Sequence, residues 1–158
     1  RHHPRMRNPS LKIPPLAVTV VFGAGMAGLA VLLPAAAFPL PGRVPLAAFL
    51  ALVGSAAAAA GVIAFRRVGT TVNPLNPDAT AAVVFSGIYR CTRNPMYLGF
   101  LLALCGLGAY LANVASAVLL PLFVLYLNRF QIEPEEHAML TKFGPEYSRY
   151  MAAVRRWV

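Results

Sequence analysis

The sequence predicts an all-α membrane protein that crosses a bilayer about four times and ends in a cytosolic helical tail. Of its 158 residues, 58% are hydrophobic and only 12% are charged, which is about half the charged share of a soluble domain. A soluble domain of this size could not bury so much apolar surface. The apolar residues also fall into long runs, as expected of a chain surrounded by lipid.

Two long apolar runs come first. Residues 16–38 are long enough to cross the hydrocarbon core of a bilayer, and residues 45–65 form a second run, which Arg66 and Arg67 end. We expect Pro34 to kink the first helix near its far end. The glycines and alanines of the second run favour close packing between membrane helices.

The second half begins with a polar, turn-rich segment, residues 68–93, in which Pro74 and Pro77 fix an irregular path. Two shorter apolar runs follow, residues 96–110 and 115–130. We interpret them as a helical hairpin that turns near residues 111–113, although the first run is short for a full span. Beyond residue 130 the chain is charged and amphipathic.

The basic residues predict the orientation. With four spans both termini share one side, and that side holds all of the 14 lysines and arginines except Arg43. Because cytoplasmic loops of membrane proteins carry the excess of positive charge, we expect a multi-pass protein whose two termini and polar 68–93 segment face the cytoplasm. We expect its active site on that side as well.

Several other classes are disfavoured. Residues 23–28 match the glycine fingerprint of dinucleotide-binding folds, but no acidic residue precedes Asp78, so we interpret these glycines as helix-packing positions. The net charge of +9 lies at the ends of apolar runs, which argues against nucleic-acid binding. The three histidines and two cysteines lack metal-ligand spacing, and we predict no metal site.

Two polar clusters stand out near the predicted cytoplasmic surface. Glu133, Glu135 and Glu136 directly follow the last span, where they could simply favour the first turn of a helix that ends at Gly144. The other cluster is residues 87–99, whose arginines could simply be charges flanking a span. An Arg-rich and a Glu-rich cluster on one membrane face together indicate a site for a ligand of mixed charge.

These clusters carry a resemblance. Residues 93–99, Arg-Asn-Pro-Met-Tyr-Leu-Gly, resemble the R-[HN]-P-x-Y-x-G signature of the isoprenylcysteine carboxyl methyltransferase and phospholipid methyltransferase superfamily. Residues 135–157 resemble its E-E-x-x-L…F-G-x-x-Y-x-x-Y…V-x-R-W ending, and residues 70–74 resemble its T-x-x-P segment. The resemblance covers about residues 66–158, whereas the first two spans resemble only generic membrane helices.

The resemblance implies an S-adenosylmethionine-dependent methyltransferase within the membrane, with the cofactor reached from the cytosol and the acceptor from the bilayer. The cofactor contacts that it implies are Tyr89, Arg93, Asn94, Pro95, Tyr97, Leu98 and Glu135 or Glu136. We include Arg90 and Gly99, which flank this segment, in the predicted cofactor site. Asn94 stands where many family members have His, so no imidazole is available for catalysis at this position.

The catalytic prediction concerns three residues near the bilayer edge. Arg129 and Glu133 are spaced i, i+4 and would share a helix face, where we expect them to position the acceptor. Pro134 would, however, bias Glu133 away from helical geometry, and the pair could be a plain surface ion pair. Glu136 could serve as the base if the acceptor is an amine.

We expect a single domain over residues 1–158. It comprises an amino-terminal segment (1–15), two spans (16–65) and a cofactor-binding core with two spans and the tail (66–158). The predicted partner is a lipid-like or isoprenylated small molecule from the bilayer. The alternatives are a lipid-binding protein of the same fold without turnover, a small transporter subunit, and a sterol-type reductase. The sequence leaves the acceptor and the oligomeric state open.

Overall fold

The computed structural model describes residues 13–69 and 83–158. The helices in chain order are α1 (Pro15–Leu32), a 3-10 turn (Pro34–Ala36), α2 (Arg43–Arg67), a 3-10 turn (Gly87–Arg90), α3 (Pro95–Leu111), α4 (Val114–Ala117), α5 (Leu119–Leu127), a π-helical turn (Asn128–Ile132), α6 (Glu133–Phe143) and α7 (Pro145–Ala153). Over the described ranges no strand forms, so the all-α prediction is confirmed. The predicted T-x-x-P segment, Asp78 and the basic residues before position 13 lie outside the described residues.

Three helical stretches are long and apolar enough to cross a membrane: Pro15–Leu32, Arg43–Arg67 and Val114–Phe143. Helix α3 has 17 residues, or about 25 Å at the usual rise per residue, which is slightly less than the hydrocarbon thickness. Large apolar side chains such as Val21, Leu52 and Leu125 are exposed on these helices, as a lipid environment requires. The prediction of a polytopic membrane protein is confirmed.

The first span is shorter than predicted. Helix α1 ends at Leu32 rather than running to residue 38, and Pro34 opens a separate 3-10 turn instead of kinking a continuing helix. Because Pro34 has no N–H to continue the helical hydrogen bonds, the α-helix ends just before it. Of the glycines interpreted as packing positions, a Cβ at Gly25 would lie 3.2 Å from Leu119, whereas one at Gly28 would have no neighbour within 4 Å.

Glycines bring α2 and α3 into direct backbone contact. A Cβ added at Gly54 would lie 2.6 Å from the carbonyl oxygen of Gly99, and a Cβ at Gly99 would lie 2.5 Å from that of Gly54. Gly61 approaches Pro95 and Gly106 approaches Ala47 in the same way. The prediction that the second span packs closely through its small residues is therefore confirmed.

The hairpin between α3 and α4 forms as predicted. Ala112 ends α3 in the left-handed conformation, with φ of 45°. The Asn113 side chain accepts a hydrogen bond from the backbone N–H of Ser116 and donates one to the carbonyl oxygen of Leu33, at 3.2 and 2.9 Å. Because Leu33 follows α1, this asparagine also ties the first helix to the hairpin.

The last span and the beginning of the tail form one helical stretch, interrupted upstream of each of two prolines. Pro121 cannot donate to the carbonyl of Ala117, where α4 ends, and Pro134 cannot donate to that of Phe130, where the backbone is π-helical. The wider π turn accommodates the proline. Glu133 therefore keeps helical angles, φ −58° and ψ −45°, and the expectation that Pro134 would bias it away from helical geometry is wrong.

The tail folds back onto the start of α3. Gly144 ends α6 with φ of 55°, as predicted, and α7 follows directly. Tyr147 and Tyr150 of α7 are buried against Val83, with Tyr89 packed beside them. This small cluster of side chains brings the segment before α3 and the carboxy-terminal tail together, so the two predicted polar clusters meet.

Candidate active site

The site is built where α3 begins and the carboxy-terminal strap, residues 154–157, crosses it. The backbone N–H of Arg93 donates to the carbonyl oxygen of Arg155 at 3.0 Å. The side-chain amide of Asn94 donates to the carbonyl oxygen of Arg156 at 2.9 Å. Asn94 precedes the first turn of α3, where Pro95 occupies a position that needs no donor. The strap therefore fixes the arginine–asparagine–proline segment through main-chain carbonyls.

Glu136 lies between two arginines. Arg156 donates from Nε to Oε1 at 2.9 Å and from Nη2 to Oε2 at 2.8 Å. Arg93 approaches from the other side, with Nη1 3.0 Å from Oε1. Burial and bidentate geometry make such an ion pair strong, and the hydrogen bond to Glu136 raises the pKa of Arg156. Both carboxylate oxygens thus face guanidinium groups, and this geometry suits Glu136 to anchoring cationic side chains.

Arg93 retains unused hydrogen-bonding capacity. Its side chain is only 10% exposed, yet Nε has no hydrogen-bond partner among the described residues. Nη1 is close to Glu136 but not aligned for a hydrogen bond to it. Buried donors are almost always satisfied in folded proteins. A buried arginine with free N–H groups is therefore a candidate to bind an anionic ligand group.

Tyr97 and Glu135 form a second contact close by. Tyr97 is buried in the first turns of α3, and its hydroxyl donates a short hydrogen bond to Oε1 of Glu135. The adjacent Glu136 contacts Arg93, so neighbouring glutamates of α6 reach two different residues of the signature segment. The predicted convergence of the Arg-rich and Glu-rich clusters is present in the fold.

Three tyrosines, Tyr89, Tyr147 and Tyr150, pack together beside this site. The Tyr150 hydroxyl donates to the carbonyl oxygen of Tyr89 at 2.7 Å. Burial raises the pKa of Tyr89 and Tyr150 well above the usual value. Burial, with the nearby charge of Glu136, raises the pKa of Tyr147 to about 12, and Arg93 opposes this rise. All three phenols are therefore neutral hydrogen-bonding groups at physiological pH.

Some predicted cofactor residues have packing roles or lie elsewhere. Gly99 faces α2, where any side chain would meet the backbone of Gly54, and Pro95 packs against Gly61. Leu98 is half-buried, and its N–H donates to the Asn94 carbonyl oxygen at 2.9 Å. Arg90 is exposed and lines an open surface groove together with Phe85, Glu146, Arg149, Tyr150, Ala153 and Val154.

Arg129 and Glu133 share a helix face, as predicted, but on the outside of the protein. Nη1 of Arg129 lies 3.6 Å from Oε2 of Glu133, and their side chains are 74% and 47% exposed. Ion pairs in this setting contribute little to stability. Both side chains are exposed, whereas Glu136 is buried.

Sequence reasoning missed the side-chain contacts of Arg156, Asn128 and Gln131. Arg156 pairs with Glu136, and the indole N–H of Trp157 donates to Oδ1 of Asn128 at 2.9 Å. Gln131 is buried, and its Nε2 donates to the carbonyl oxygen of Ile13 at 2.7 Å. Asn128 and Gln131 could have been noticed as polar residues at the end of an apolar run. Their placement depends on the π turn, which no sequence pattern indicated.

The fold and these contacts define a polytopic helical membrane protein with Arg–Glu pairs where its tail meets the start of α3. A sequence model of the phospholipid methyltransferase family matches residues 43–146, well over half of the chain. The chain belongs to this family. Because the match begins with α2, the expectation that both early spans are generic was wrong for the second one.

Individual relatives agree with this assignment. Protein-S-isoprenylcysteine O-methyltransferase A of Arabidopsis thaliana is 31% identical over 65% of this chain and 52% of its own length. Its B counterpart from the same plant is 33% identical over 46% of this chain and 36% of its length. An uncharacterized Haemophilus influenzae protein is 43% identical over 40% of this chain and its own full length. This chain thus spans about half of the first plant enzyme, and no solved structure matches it.

Proposed function

We propose that this protein is an S-adenosylmethionine-dependent methyltransferase that modifies a lipid-like acceptor drawn from the bilayer. Membership of the phospholipid methyltransferase family and the similarity to isoprenylcysteine O-methyltransferases support the reaction class. The observation that carries the proposal is the buried Arg93, whose Nε has no hydrogen-bond partner in the part of the chain that the structure describes and which lies beside the glutamates of α6. The isoprenylcysteine and phospholipid types of acceptor both agree with these relationships.

The residues present fit the cofactor's charges. S-adenosylmethionine carries a carboxylate, an ammonium group and a sulfonium cation. The Nε of Arg93, which has no hydrogen-bond partner among the described residues, suits the carboxylate. Glu135, which accepts from Tyr97, suits one of the cationic groups, and the ion pair of Glu136 with Arg156 would keep Arg93 in place. Tyr89 and Asn94 would border the same pocket from the signature segment.

The cofactor, when bound, supplies a methyl group on a sulfonium, which is already activated for displacement. The protein's task is then to hold the acceptor in line with the methyl carbon and the sulfur, and to exclude water. The buried phenols and the strap across α3 would provide that exclusion. Arg93 and Glu135 would hold the charged groups of the cofactor.

The proposal gives the three predicted catalytic residues roles that differ from those expected from the sequence. Glu136 would anchor Arg93 and Arg156 rather than abstract a proton, because both of its oxygens already face guanidinium groups. Arg129 and Glu133, being exposed, would contact the acceptor only outside the helical bundle, for example at a lipid head group. We propose that the site and both termini face the cytoplasm, as the distribution of basic residues predicts.

Calorimetric titration of S-adenosylmethionine into detergent-solubilised protein tests the proposal. We expect saturable binding by the unaltered protein and loss of binding in Arg93→Ala, where the free donors are removed. Arg129→Ala, an exposed arginine of the same helical stretch as Glu136, is the matched control and should bind normally. Absence of binding by folded protein, in several detergents and in lipid nanodiscs, would overturn the proposal.

A further inference from the structure

We propose that the surface groove between α7 and the 3-10 turn Gly87–Arg90 binds the phosphate of an anionic membrane lipid, which Arg90 and Arg149 hold. The groove contains none of the residues that the proposed cofactor site uses, so the inference does not depend on the methyltransferase proposal. It starts from two arginines for which the described part of the chain provides no acidic partner.

The charged side chains of the groove are Arg90, Arg149 and Glu146, and all three are exposed. Neither arginine forms an ion pair with any acidic residue in the ranges 13–69 and 83–158, and Glu146 is no exception although it lines the same groove. Guanidinium groups bind phosphate oxygens through pairs of parallel hydrogen bonds. Two unpaired arginines that line one groove therefore indicate a phosphate ligand.

Contacts with α2 place the groove at the level of the lipid head groups. A Cβ added at Gly87 would lie 3.6 Å from that of Ala64, and the ring centroids of Tyr89 and Phe65 are 5.2 Å apart. Both of these α2 residues belong to the last turn of a candidate membrane span, which ends at Arg67. Helix α7 is bonded to the same 3-10 turn through a tyrosine hydroxyl, at 2.7 Å. The groove therefore lies where a span leaves the hydrocarbon, which is where lipid phosphates are found.

The remaining lining of the groove is aromatic and aliphatic, which favours a lipid over a free phosphate ion. Phe85 is 41% exposed, and its ring meets that of Tyr150 edge-on, with centroids 5.2 Å apart. Ala153 and Val154 also line the groove, whose volume of about 740 Å³ is far larger than one phosphate group. The glycerol backbone and the first chain carbons of a lipid would cover this apolar surface, whereas a free ion would leave it in water.

The surplus of positive charge selects an anionic lipid. Besides the two arginines of the groove, the exposed Arg66 and Arg67 end α2, and the exposed Arg155 directly follows Val154 of the lining. Glu146 is the one acidic residue among the described residues that line the groove. A lipid of net negative charge gains from this surplus, whereas the choline ammonium of phosphatidylcholine cancels its phosphate. Because the Glu146 carboxylate can accept hydrogen bonds from hydroxyl groups, phosphatidylglycerol is a suitable probe.

Native mass spectrometry of the detergent-solubilised protein measures lipid binding without turnover. We would titrate phosphatidylglycerol, and phosphatidylcholine with the same acyl chains, and compare the dissociation constants of the first bound lipid. The proposal predicts that phosphatidylglycerol binds about tenfold more tightly or better, and equal affinities would overturn it. Glycerol phosphate, the soluble head group, should displace the lipid only at a large excess. Displacement at concentrations similar to that of the lipid would show that the groove binds free phosphate and would refute the lipid assignment.

Two arginine variants distinguish a defined site from diffuse attraction by positive charge. Arg149→Gln removes a charge from the groove, whereas Arg67→Gln removes an exposed charge that does not line it. Because only the first variant loses charge-assisted hydrogen bonds to the phosphate, we expect phosphatidylglycerol to bind about tenfold more weakly to Arg149→Gln and less than about twofold more weakly to Arg67→Gln. Equal weakening in both variants would show that the general positive charge of this surface attracts the lipid, and the proposed site would be wrong.

Cofactor binding distinguishes this test from that of the methyltransferase proposal. Arg149→Gln should bind S-adenosylmethionine with the affinity of the unaltered protein, since Arg93 and Glu135 are unchanged, and circular dichroism checks that the variant is folded. Folded protein that binds the cofactor but shows no preference for phosphatidylglycerol would refute the lipid site and leave the methyltransferase proposal intact. A preference that Arg149→Gln abolishes, in a protein that binds no cofactor, would support the lipid site and refute only the methyltransferase proposal.

Discussion

Arg156 binds Glu136 through two parallel hydrogen bonds, of 2.9 and 2.8 Å, although α7 and the end of α6 separate the two residues in the chain. The same carboxylate lies 3.0 Å from Arg93. One acidic side chain thus connects the carboxy-terminal strap, α6 and the segment before α3. The packing of the tail and the position of Arg93 both depend on it.

Replacing Glu136 by Gln should destabilise the protein substantially, because the buried Arg93 and the partly buried Arg156 would lose their counter-charge. We expect a cost of about 2–4 kcal/mol, since breaking a buried pair leaves uncompensated charge. Thermal unfolding in detergent measures it. His137→Gln, at the exposed neighbouring position, should change the unfolding temperature little. Equal effects of the two substitutions would contradict the assigned role of Glu136.

Asn94 should tolerate His but not Asp. The Asn94 amide donates to the Arg156 carbonyl oxygen, and an imidazole N–H can make the same bond, whereas a carboxylate would repel that oxygen. Asn94→Asp should therefore release the strap and expose Arg155 and Arg156 to trypsin, at a cost of about 1–3 kcal/mol. Limited proteolysis followed by mass spectrometry detects the cleavage. Rapid cleavage of Asn94→His as well would contradict this account.

Adding one methyl group at the α2–α3 contact should separate the helices. Gly54→Ala would place a Cβ 2.6 Å from the Gly99 carbonyl oxygen, and overpacking of this kind costs about 1–3 kcal/mol. Gly28→Ala introduces the same methyl group in α1 with no neighbour within 4 Å, so it should be neutral or slightly stabilising. Urea or thermal unfolding of both variants in one detergent makes the comparison, and equal destabilisation would count against the close contact.

Alkaline pH should weaken the fold partly through Tyr147. Its pKa is raised to about 12 from 10.0, so the folded state favours the neutral phenol. This contribution to stability is complete below pH 10 and is lost as the pH rises towards 12, because the unfolded chain ionises first. Unfolding measured across this range should show a shallower loss of stability in Tyr147→Phe. An unchanged slope would show that Tyr147 is not shielded as described.

Composition and motif order were sufficient for the fold class and for the meeting of the two polar clusters. The apolar runs require lipid, and the arginine–asparagine–proline and glutamate motifs lie at the ends of consecutive spans, which a hairpin necessarily brings to one side. Asn113 and Gly144 predict turns because each affects the backbone of only a few neighbouring residues. Predictions of this kind depend on neighbours in sequence, and they were confirmed.

The contacts across distant segments could not be predicted in the same way. The pairing of Arg156 with Glu136 depends on how α7 turns after Gly144, and the burial of Gln131 depends on a π turn that accommodates Pro134 three residues later. Arg129 was predicted to position the acceptor because its i, i+4 charge pair with Glu133 is visible in sequence. The direction in which a helix face points, towards lipid or towards neighbouring helices, is decided only by packing.

The most direct test of the central claim is transfer of a labelled methyl group from S-adenosylmethionine to lipid by the purified protein in nanodiscs. The account predicts label in the extracted lipid or in an added isoprenylcysteine analogue, and it predicts that this transfer depends on Arg93. Protein that is folded and binds the cofactor but transfers no label to amine lipids or to isoprenylcysteine analogues would contradict the account and favour a lipid-binding protein without turnover.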